Sequence, residues 1–260
     1  MYIKHHIFNS SNELADYLEE KSYTGSRRHH CSSESKHKLR FGDEVIVKNM
    51  KGQIKTYGQH DRKVFEFYGK LPSPARALAG NPRCFLTQKR VIEENKYITL
   101  VFDVSVPWYY SSQQMIENGK KLIAIMKYME QNGFRIRLIA CASSANNSYG
   151  AMECNALLLK LKEFDQPFSV TRIAFPIANP DFLRDVSFEW EDKDPVCEYH
   201  SNYGYALGHN ISTKEASMAF SNFLGKGTLF ITHFMVEREN FQEKLMENSE
   251  TVLKYGYETL

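Results

Sequence analysis

The sequence predicts a three-layer α/β fold with a mostly parallel sheet, preceded by an N-terminal extension. Residues 97–104 are an apolar run typical of a buried strand, and residues 134–141 are a second such run. Between them, apolar residues recur at helical spacing over 115–129. A β-α-β unit of this kind implies two parallel strands joined by a right-handed crossover. We place the unit in an α/β domain that spans residues 91–260.

The rest of this domain alternates between strand-like and helix-like patterns. Ser111 or Ser112 caps the first helix, which ends at Asn132-Gly133, and a polar loop is expected over 143–150. The downstream elements, in chain order, are a strand over 153–162, helical pieces over 169–175 and 180–184, a strand over 185–190, a loop over 191–211, a helix over 213–224, a strand over 228–234 and a helix over 237–255.

The N-terminal extension covers residues 1–90. Ser10 and Glu13 have the spacing of a capping box and predict a short helix. Residues 21–40 are basic and poor in aliphatic side chains, which predicts a mobile loop. The remaining segments are two strand-like runs and a proline-rich connector whose apolar centre is expected to dock on the domain; they span 44–47, 63–68 and 71–82.

Composition restricts the classes of protein to which the chain can belong. Hydrophobic residues make up 42% of it and charged residues 25%, as in folded globular proteins. The net charge of +2 excludes a chain that is polybasic or polyacidic throughout. The five cysteines never occur as Cys-x-x-Cys, so neither a disulfide framework nor a zinc ribbon is indicated. No run approaches the roughly 20 apolar residues of a membrane span. We therefore expect a cytoplasmic protein with no membrane partner.

Asp103 and Ser105 stand at the end of the first strand of the domain. Ligands of open α/β sheets bind just beyond the carboxyl ends of strands. Carboxylate and hydroxyl oxygens suit hard divalent cations, so Asp103 and Ser105 are candidate ligands of Mg²⁺ or Mn²⁺. The alternative is that Asp103 caps the following turn and orders Ser105 by hydrogen bonding.

The strand that ends in Asp103-Val-Ser105 resembles the von Willebrand factor A domain, in which an Asp-x-Ser-x-Ser motif forms a metal-ion-dependent adhesion site. The resemblance covers residues 91–235 in the order of strand, capped helix and second strand. Pro107 stands where that family has its second serine, so the motif here is a degenerate one. The family also takes a threonine and an aspartate from later loops, and the candidates for these positions are Ser143, Ser144 or Thr171 and Asp181 or Asp185.

The chain also resembles uncharacterised proteins of phage and prophage genomes. The features in common are a helix with Glu-Leu-Ala-Asp-Tyr-Leu, a connector of proline and alanine that ends in glycine, the Asp-x-Ser strand end, and the Ala-Phe-Pro…Asn-Pro-x-Phe-Leu-Arg stretch over 174–184. This resemblance implies an origin in a mobile element and a location in the host cytoplasm. It implies no activity.

The loops beyond Asp103 are predicted to bind a protein partner. Trp108 and Tyr109 follow the first strand, and exposed aromatic side chains in such a loop suit an interface hot spot. Ser143 and Ser144 follow the second strand and belong to the same predicted surface. The leading hypothesis is therefore a non-enzymatic interaction protein, in which a divalent cation takes part if the motif binds one.

The second hypothesis rests on the basic segment over 21–40. Its cations suit the phosphates of a nucleic acid, in a binding protein or in a metal-dependent phosphoryl-transfer enzyme. The candidates are Arg27, Arg28, Lys36, Lys38 and Arg40. The competing interpretation is a solvated loop whose charges have no specific role, and no phosphate-loop motif follows a strand.

Two further patterns favour structural roles. The acidic run over 189–194 is typical of a solvated edge, although its paired carboxylates could bind a cation. His233 lies in an apolar run, where a histidine is more often a hydrogen-bonded core residue than a catalyst.

Overall fold

The computed structural model describes residues 2–23, 29–50, 62–66, 71–89, 96–148, 151–197 and 212–256. Its strands are β1 (Tyr2–Phe8), β2 (Arg62–Glu66), β3 (Leu71–Pro72), β4 (Phe85–Lys89), β5 (Lys96–Asp103), β6 (Phe134–Ser148), β7 (Ala151–Lys162) and β8 (Thr228–Thr232). Its α-helices are α1 (Ser11–Glu20), α2 (Ser33–Phe41), α3 (Glu44–Met50), α4 (Pro74–Leu78), α5 (Ser112–Gln131), α6 (Val170–Ala178), α7 (Phe188–Lys193), α8 (Thr213–Leu224), α9 (His233–Val236) and α10 (Phe241–Tyr255).

The main sheet has the strand order β1-β7-β6-β5-β8. Strands β6, β5 and β8 are parallel to one another, β7 is antiparallel to β6, and β1 is parallel to β7. Strands β2, β4 and β3 form a separate antiparallel sheet. The predicted α/β class with a mostly parallel sheet is therefore confirmed.

Helices cover both faces of the main sheet because successive strand residues point to opposite sides. In β5, Leu100 and Phe102 belong to a large core formed with α5, α6 and α10, whereas Val101 belongs to a second core. The second core includes Phe220 from α8. On the large side, α5 approaches α6 closely at Gly119, where a Cβ would lie 2.5 Å from the Cα of Ala178. These layers agree with a three-layer α/β arrangement.

The β-α-β unit forms as the sequence predicts. Strand β5 is buried from Ile98 to Asp103, and α5 begins after Ser111. The Ser111 hydroxyl accepts a hydrogen bond from the Gln114 backbone N–H, and the Gln114 side chain accepts one from the Ser111 N–H, which completes a capping box. Helix α8 spans the predicted residues 213–224; it starts with an equivalent box at Ser212 and is followed by Gly225.

Strand β1 is the first element that the sequence analysis misses. It pairs with β7 in the register His5↔Ala156 and His6↔Leu157. Two histidines interrupt its apolar pattern, and its partner lies about 150 residues away along the chain, so no local signal indicates a strand. Residues of β1 and α1–α3 enter the large core, including Phe8, Leu18 and Leu39. The core therefore crosses the predicted division at residue 90.

Three local predictions in the N-terminal part are wrong. Residues 33–41 form helix α2 rather than the end of a loop, because Ser32 caps it and buried Leu39 attaches it to the core. Residues 44–50 form helix α3 rather than a strand, because the Asp43 carboxylate accepts hydrogen bonds from the N–H groups of Val45 and Ile46. The short helix α4 buries none of its residues, so the apolar centre of the connector does not dock.

Three further boundaries differ from prediction. Strand β6 continues to Ser148 and forms a hairpin with β7, because the polar run after residue 142 has a strand partner. Residues 182–187 form a π-helix that continues into α7, where alternating apolar and polar residues predict a strand over 185–190. Val186 and Trp190 are both fully buried, and their spacing of four residues also fits one face of a helix. Strand β8 ends at Thr232, and α10 begins at Phe241. Most of the predicted loop over 191–211 lies outside the described residues.

Candidate interaction site at the carboxyl ends of the strands

Asp103 ends β5 between two parallel neighbours. It stands in register with Cys141 on β6 and Thr232 on β8. Since the carboxyl ends of parallel strands meet at one edge of the sheet, this is the edge where α/β folds bind ligands. The position of Asp103 agrees with the sequence analysis.

The Asp103 carboxylate is fully buried and accepts hydrogen bonds from its own neighbourhood. One oxygen, Oδ1, accepts from the Ser105 N–H at 3.1 Å, and the other, Oδ2, accepts from the Ser143 hydroxyl at 2.8 Å. The Ser105 hydroxyl in turn accepts from the Ser143 N–H at 2.7 Å. These contacts fasten the chain that leaves β5 to β6. They match the interpretation of Asp103 as the cap of the following turn.

The same residues can be compared with the donor set of a divalent-cation site. The structure brings Ser143 to Asp103, but Pro107 offers no side-chain oxygen, and Asp181 and Asp185 contact α2 through Lys38 and Ser35 instead. Thr171 lies at the exposed start of α6. Over the described part of the chain, no three histidine, cysteine, aspartate or glutamate side chains converge on a metal position. The arrangement is that of a capped turn, and Mg²⁺ or Mn²⁺ binding stays a prediction.

The segment after Ser105 forms a turn that is held at its far end by Tyr110. The Tyr110 N–H donates to the Pro107 carbonyl at 3.0 Å. The Tyr110 ring is buried, and its hydroxyl donates to the Glu237 carboxylate and accepts from the Asn118 amide at 2.6 Å. Burial, followed by the bond to Glu237, raises the pKa of Tyr110 above its ordinary value. Tyr110 therefore acts as a neutral anchor.

Trp108 and Tyr109 lie between these two anchors and point into solvent. Trp108 is 92% exposed and Tyr109 is 61% exposed, and their ring centroids are 6.0 Å apart in an edge-to-face arrangement. A fixed turn thus presents two adjacent aromatic rings on the surface. We call Trp108 and Tyr109 the aromatic pair.

The serines predicted to join this surface lie elsewhere. Ser143 is 3% exposed and Ser144 is 4% exposed, so both side chains are buried rather than presented on the surface. Ser143 supports the turn through Asp103, whereas the Ser144 hydroxyl has no hydrogen-bond partner within the described ranges. Of the predicted partner-binding residues, the structure exposes the aromatic pair.

The basic residues of α2 are engaged by carboxylates. Lys38 lies 2.7 Å from Glu34 and 3.8 Å from Asp181, and the bond to Glu34 is the largest cause that raises its pKa. Arg40 forms ion pairs with Asp16 and Glu19 on α1, and Lys36 lies 3.9 Å from a Glu189 oxygen. The ion pairs of these cations lower the positive charge that they offer to a nucleic acid. Arg27 and Arg28 fall outside the described residues.

The acidic run on α7 is buried rather than solvated. Glu189 accepts from the Cys31 N–H at 2.7 Å, and Asp192 accepts from both the N–H and the ring of His29. Asp194 accepts from Tyr17 at 2.8 Å and Trp190 at 2.9 Å, and contacts the His6 ring at 2.6 Å. We call Glu189, Asp192 and Asp194 the carboxylate clamp. It fastens β1, α1 and the segment before α2 to α7.

The cysteines of the core are poor nucleophiles. Burial, and after it the charge of Asp103, raise the pKa of Cys141 and of Cys154 well above the ordinary value of a thiol. Burial likewise raises the pKa of Cys31 to about 12. Since the thiolate is the reactive form, these three thiols are unsuited to covalent catalysis.

Several residues that build this site were not singled out from sequence. Tyr110, Asn118 and Glu237 come from three separate elements, and only the fold brings them together. His233, treated as a hydrogen-bonded core residue, is buried against Phe102, but neither ring nitrogen has a hydrogen-bond partner within the described ranges. Tyr110 could have been noted as the third aromatic of the run after Pro107; the other residues carry no local signal.

Comparison with known proteins identifies a family model that covers most of the chain. A family model described as a domain of unknown function (DUF7192) matches residues 3–226, from β1 to the end of α8. No curated protein and no solved structure shows significant similarity to the chain. No helix in the described part of the chain is both long and apolar enough to cross a membrane.

Proposed function

Since the chain belongs to this family of unknown function, we propose from its own residues that it is a non-enzymatic interaction domain. It binds a protein partner through Trp108 and Tyr109 on the turn after β5. The observation that carries the proposal is the 92% exposure of Trp108 on a turn fixed at both ends.

The apolar surface of Trp108 can supply a large part of the free energy of binding. An aromatic side chain buries on the order of 200 Å² when it is enclosed. At about 25 cal/mol for each Å², burial of this surface would yield about 5 kcal/mol of hydrophobic free energy. Because Trp108 is exposed, folding does not gain this free energy. A partner with an apolar pocket can gain part of this free energy. Tryptophan and tyrosine are also the residues that most often dominate binding at interfaces.

The rigidity of the turn supports the same proposal. Asp103 and Ser143 hold one end of it, and Tyr110 with Asn118 holds the other. A surface that is already ordered loses less conformational entropy on binding than a mobile loop. The aromatic pair is therefore prepared for binding before a partner arrives.

Site-specific photo-crosslinking in cells tests the proposal. A photoreactive phenylalanine analogue replaces Trp108 in one variant and Tyr255 in a matched control, because Tyr255 is an aromatic residue that is 71% exposed on α10. We expect a discrete protein adduct from position 108 that position 255 does not give. The adduct partner is then purified and titrated with the Trp108→Ala and Tyr255→Ala variants.

The expected result is a loss of affinity of about tenfold or more for Trp108→Ala and no change for Tyr255→Ala. Equal adducts from both positions, or unchanged affinity of Trp108→Ala, would contradict the proposal. An adduct that nuclease treatment removes would instead support the nucleic-acid hypothesis.

A further inference from the structure

A cavity of about 340 Å³ lies between α8, β8 and α10. Its apolar wall includes Leu229, Phe241 and Leu245, each of which is 3% exposed and belongs to the large core. Cavities that bind small molecules usually have volumes of about 300–1,000 Å³. The size of this cavity therefore suits one compact small molecule. Neither residue of the aromatic pair lines it.

The rim of the cavity carries two cations that form no ion pair with any carboxylate in the described part of the chain. Arg238 and Lys244 line it and are exposed, and neither forms an ion pair with a carboxylate of the described residues. Lys38 and Arg40, in contrast, both have such partners. Among the described residues, the lining also contains one carboxylate, Glu247, so these residues contribute two positive charges and one negative charge, a net charge of +1. An anionic group completes this rim better than a neutral or cationic group.

The edge of β8 argues against a peptide as the ligand. β8 is the last strand of the sheet, so an extended peptide could in principle pair with it. However, the Phe230 N–H donates to the Ser217 hydroxyl on α8 at 2.9 Å. This backbone donor is already used, which removes a hydrogen bond that an added strand would need.

We infer that the cavity binds a compact amphipathic carboxylate, with its apolar body against Leu229, Phe241 and Leu245 and its carboxylate between Arg238 and Lys244. The apolar wall provides affinity through burial of the ligand body. The two cations select an anionic head group and determine its orientation. This inference is independent of the proposed function of the aromatic pair.

Calorimetric titration of the full chain with octanoate tests the inference, and octan-1-ol is the uncharged comparison. We expect octanoate to bind with one site for each chain and octan-1-ol to bind about tenfold more weakly. Arg238→Gln and Lys244→Gln each weaken octanoate binding about threefold, and the double variant about tenfold, because both cations are partly solvated. Lys254→Gln is the matched control, since Lys254 is an exposed α10 cation that does not line the cavity.

A second variant tests the location without removing charge. Asn248 lines the cavity from α10 and is partly exposed, so Asn248→Phe places a ring in the cavity with little effect on the core. We expect octanoate binding to be lost while the circular dichroism spectrum is retained. The inference is overturned if octanoate does not bind the wild-type chain, if octan-1-ol binds equally well, or if folded Asn248→Phe binds octanoate normally.

Discussion

The carboxylate clamp and the aromatic pair reverse the usual relation between polarity and burial. Asp194 is 1% exposed although its side chain is strongly polar, whereas Trp108 is 92% exposed although its side chain is largely apolar. The difference lies in the partners that each has within the chain. Asp194 has hydrogen-bond donors from β1, α1 and α7, so its burial is compensated. Within the described ranges, Trp108 has one aromatic neighbour, Tyr109, and the Trp108 side chain is 92% exposed, so most of its surface stays open to another molecule.

The comparison also separates two roles. The carboxylate clamp joins parts of the chain that are more than 150 residues apart, so its removal should affect folding. The aromatic pair contributes little to the core, so its removal should affect binding alone.

Asp194→Ala should lower the free energy of unfolding by about 3–5 kcal/mol, because it leaves the partly buried Tyr17 hydroxyl and the buried Trp190 N–H without their acceptor, at roughly 1–3 kcal/mol each. Urea denaturation measures the loss. Asp165→Ala is the control, since Asp165 is an exposed aspartate, and its effect should stay within about 0.5 kcal/mol. Similar effects of the two substitutions would show that the clamp is not structural.

Asp103→Asn should lower the free energy of unfolding by about 2 kcal/mol, because an amide group replaces one of the two oxygens that accept from Ser105 and Ser143. The loss should be the same with and without magnesium or manganese. A loss that occurs in the presence of the cation alone would support the metal site implied by the resemblance to the von Willebrand factor A domain, and calorimetric titration with either cation gives an independent check.

His233 should make the protein less stable in acid. Burial lowers its pKa to about 3 in the folded state from an ordinary 6.5, so the unfolded state takes up the proton first as the pH falls. Stability is therefore lost progressively from pH 6.5 toward pH 3. Relative to His233→Phe, the wild-type chain should lose about 1 kcal/mol for each pH unit between about pH 6 and 4.

The control for this measurement is His37→Phe, because His37 is an exposed histidine. Urea denaturation across the same pH range should give parallel curves for His37→Phe and the wild type. Parallel curves for His233→Phe and the wild type would instead show that His233 is protonated without cost in the folded state.

Lys38→Gln should lower the free energy of unfolding by at most about 1 kcal/mol, since its ion pairs with Glu34 and Asp181 are partly solvated. It should leave any affinity for DNA or RNA unchanged. A salt titration of nucleic-acid binding compares it with the double substitution Arg27→Gln and Arg28→Gln. A steep salt dependence that either variant reduces would favour the nucleic-acid hypothesis over the proposed interaction domain.

The sequence predicts the centre of the fold well because its signals are local. The apolar run over 98–102 and the Ser111 cap determine β5 and the start of α5 without reference to distant residues. The position of Asp103 at a strand end follows from the same signals. Strand β1 and the burial of Asp194 could not be predicted, because both depend on partners far away along the chain.

The candidate site shows the same limit. Trp108 and Tyr109 are recognisable as aromatic residues that follow a strand, and the structure exposes both. The burial of Ser143 depends on the hydrogen bond from its hydroxyl on β6 to Asp103 at the end of β5. The sequence pattern of a single strand carries no information about a contact between two strands. Local sequence patterns thus predict that the aromatic pair is exposed, but they do not predict the hydrogen bonds that hold the turn in place.

The decisive measurement is the affinity of the purified crosslinked partner for Trp108→Ala, determined by calorimetry beside the unfolding curve of the same variant. We expect an affinity at least about tenfold below that of the wild type and a free energy of unfolding within about 0.5 kcal/mol of it. An unchanged affinity, or a loss of affinity that accompanies a comparable loss of stability, would contradict the assignment of Trp108 to a partner.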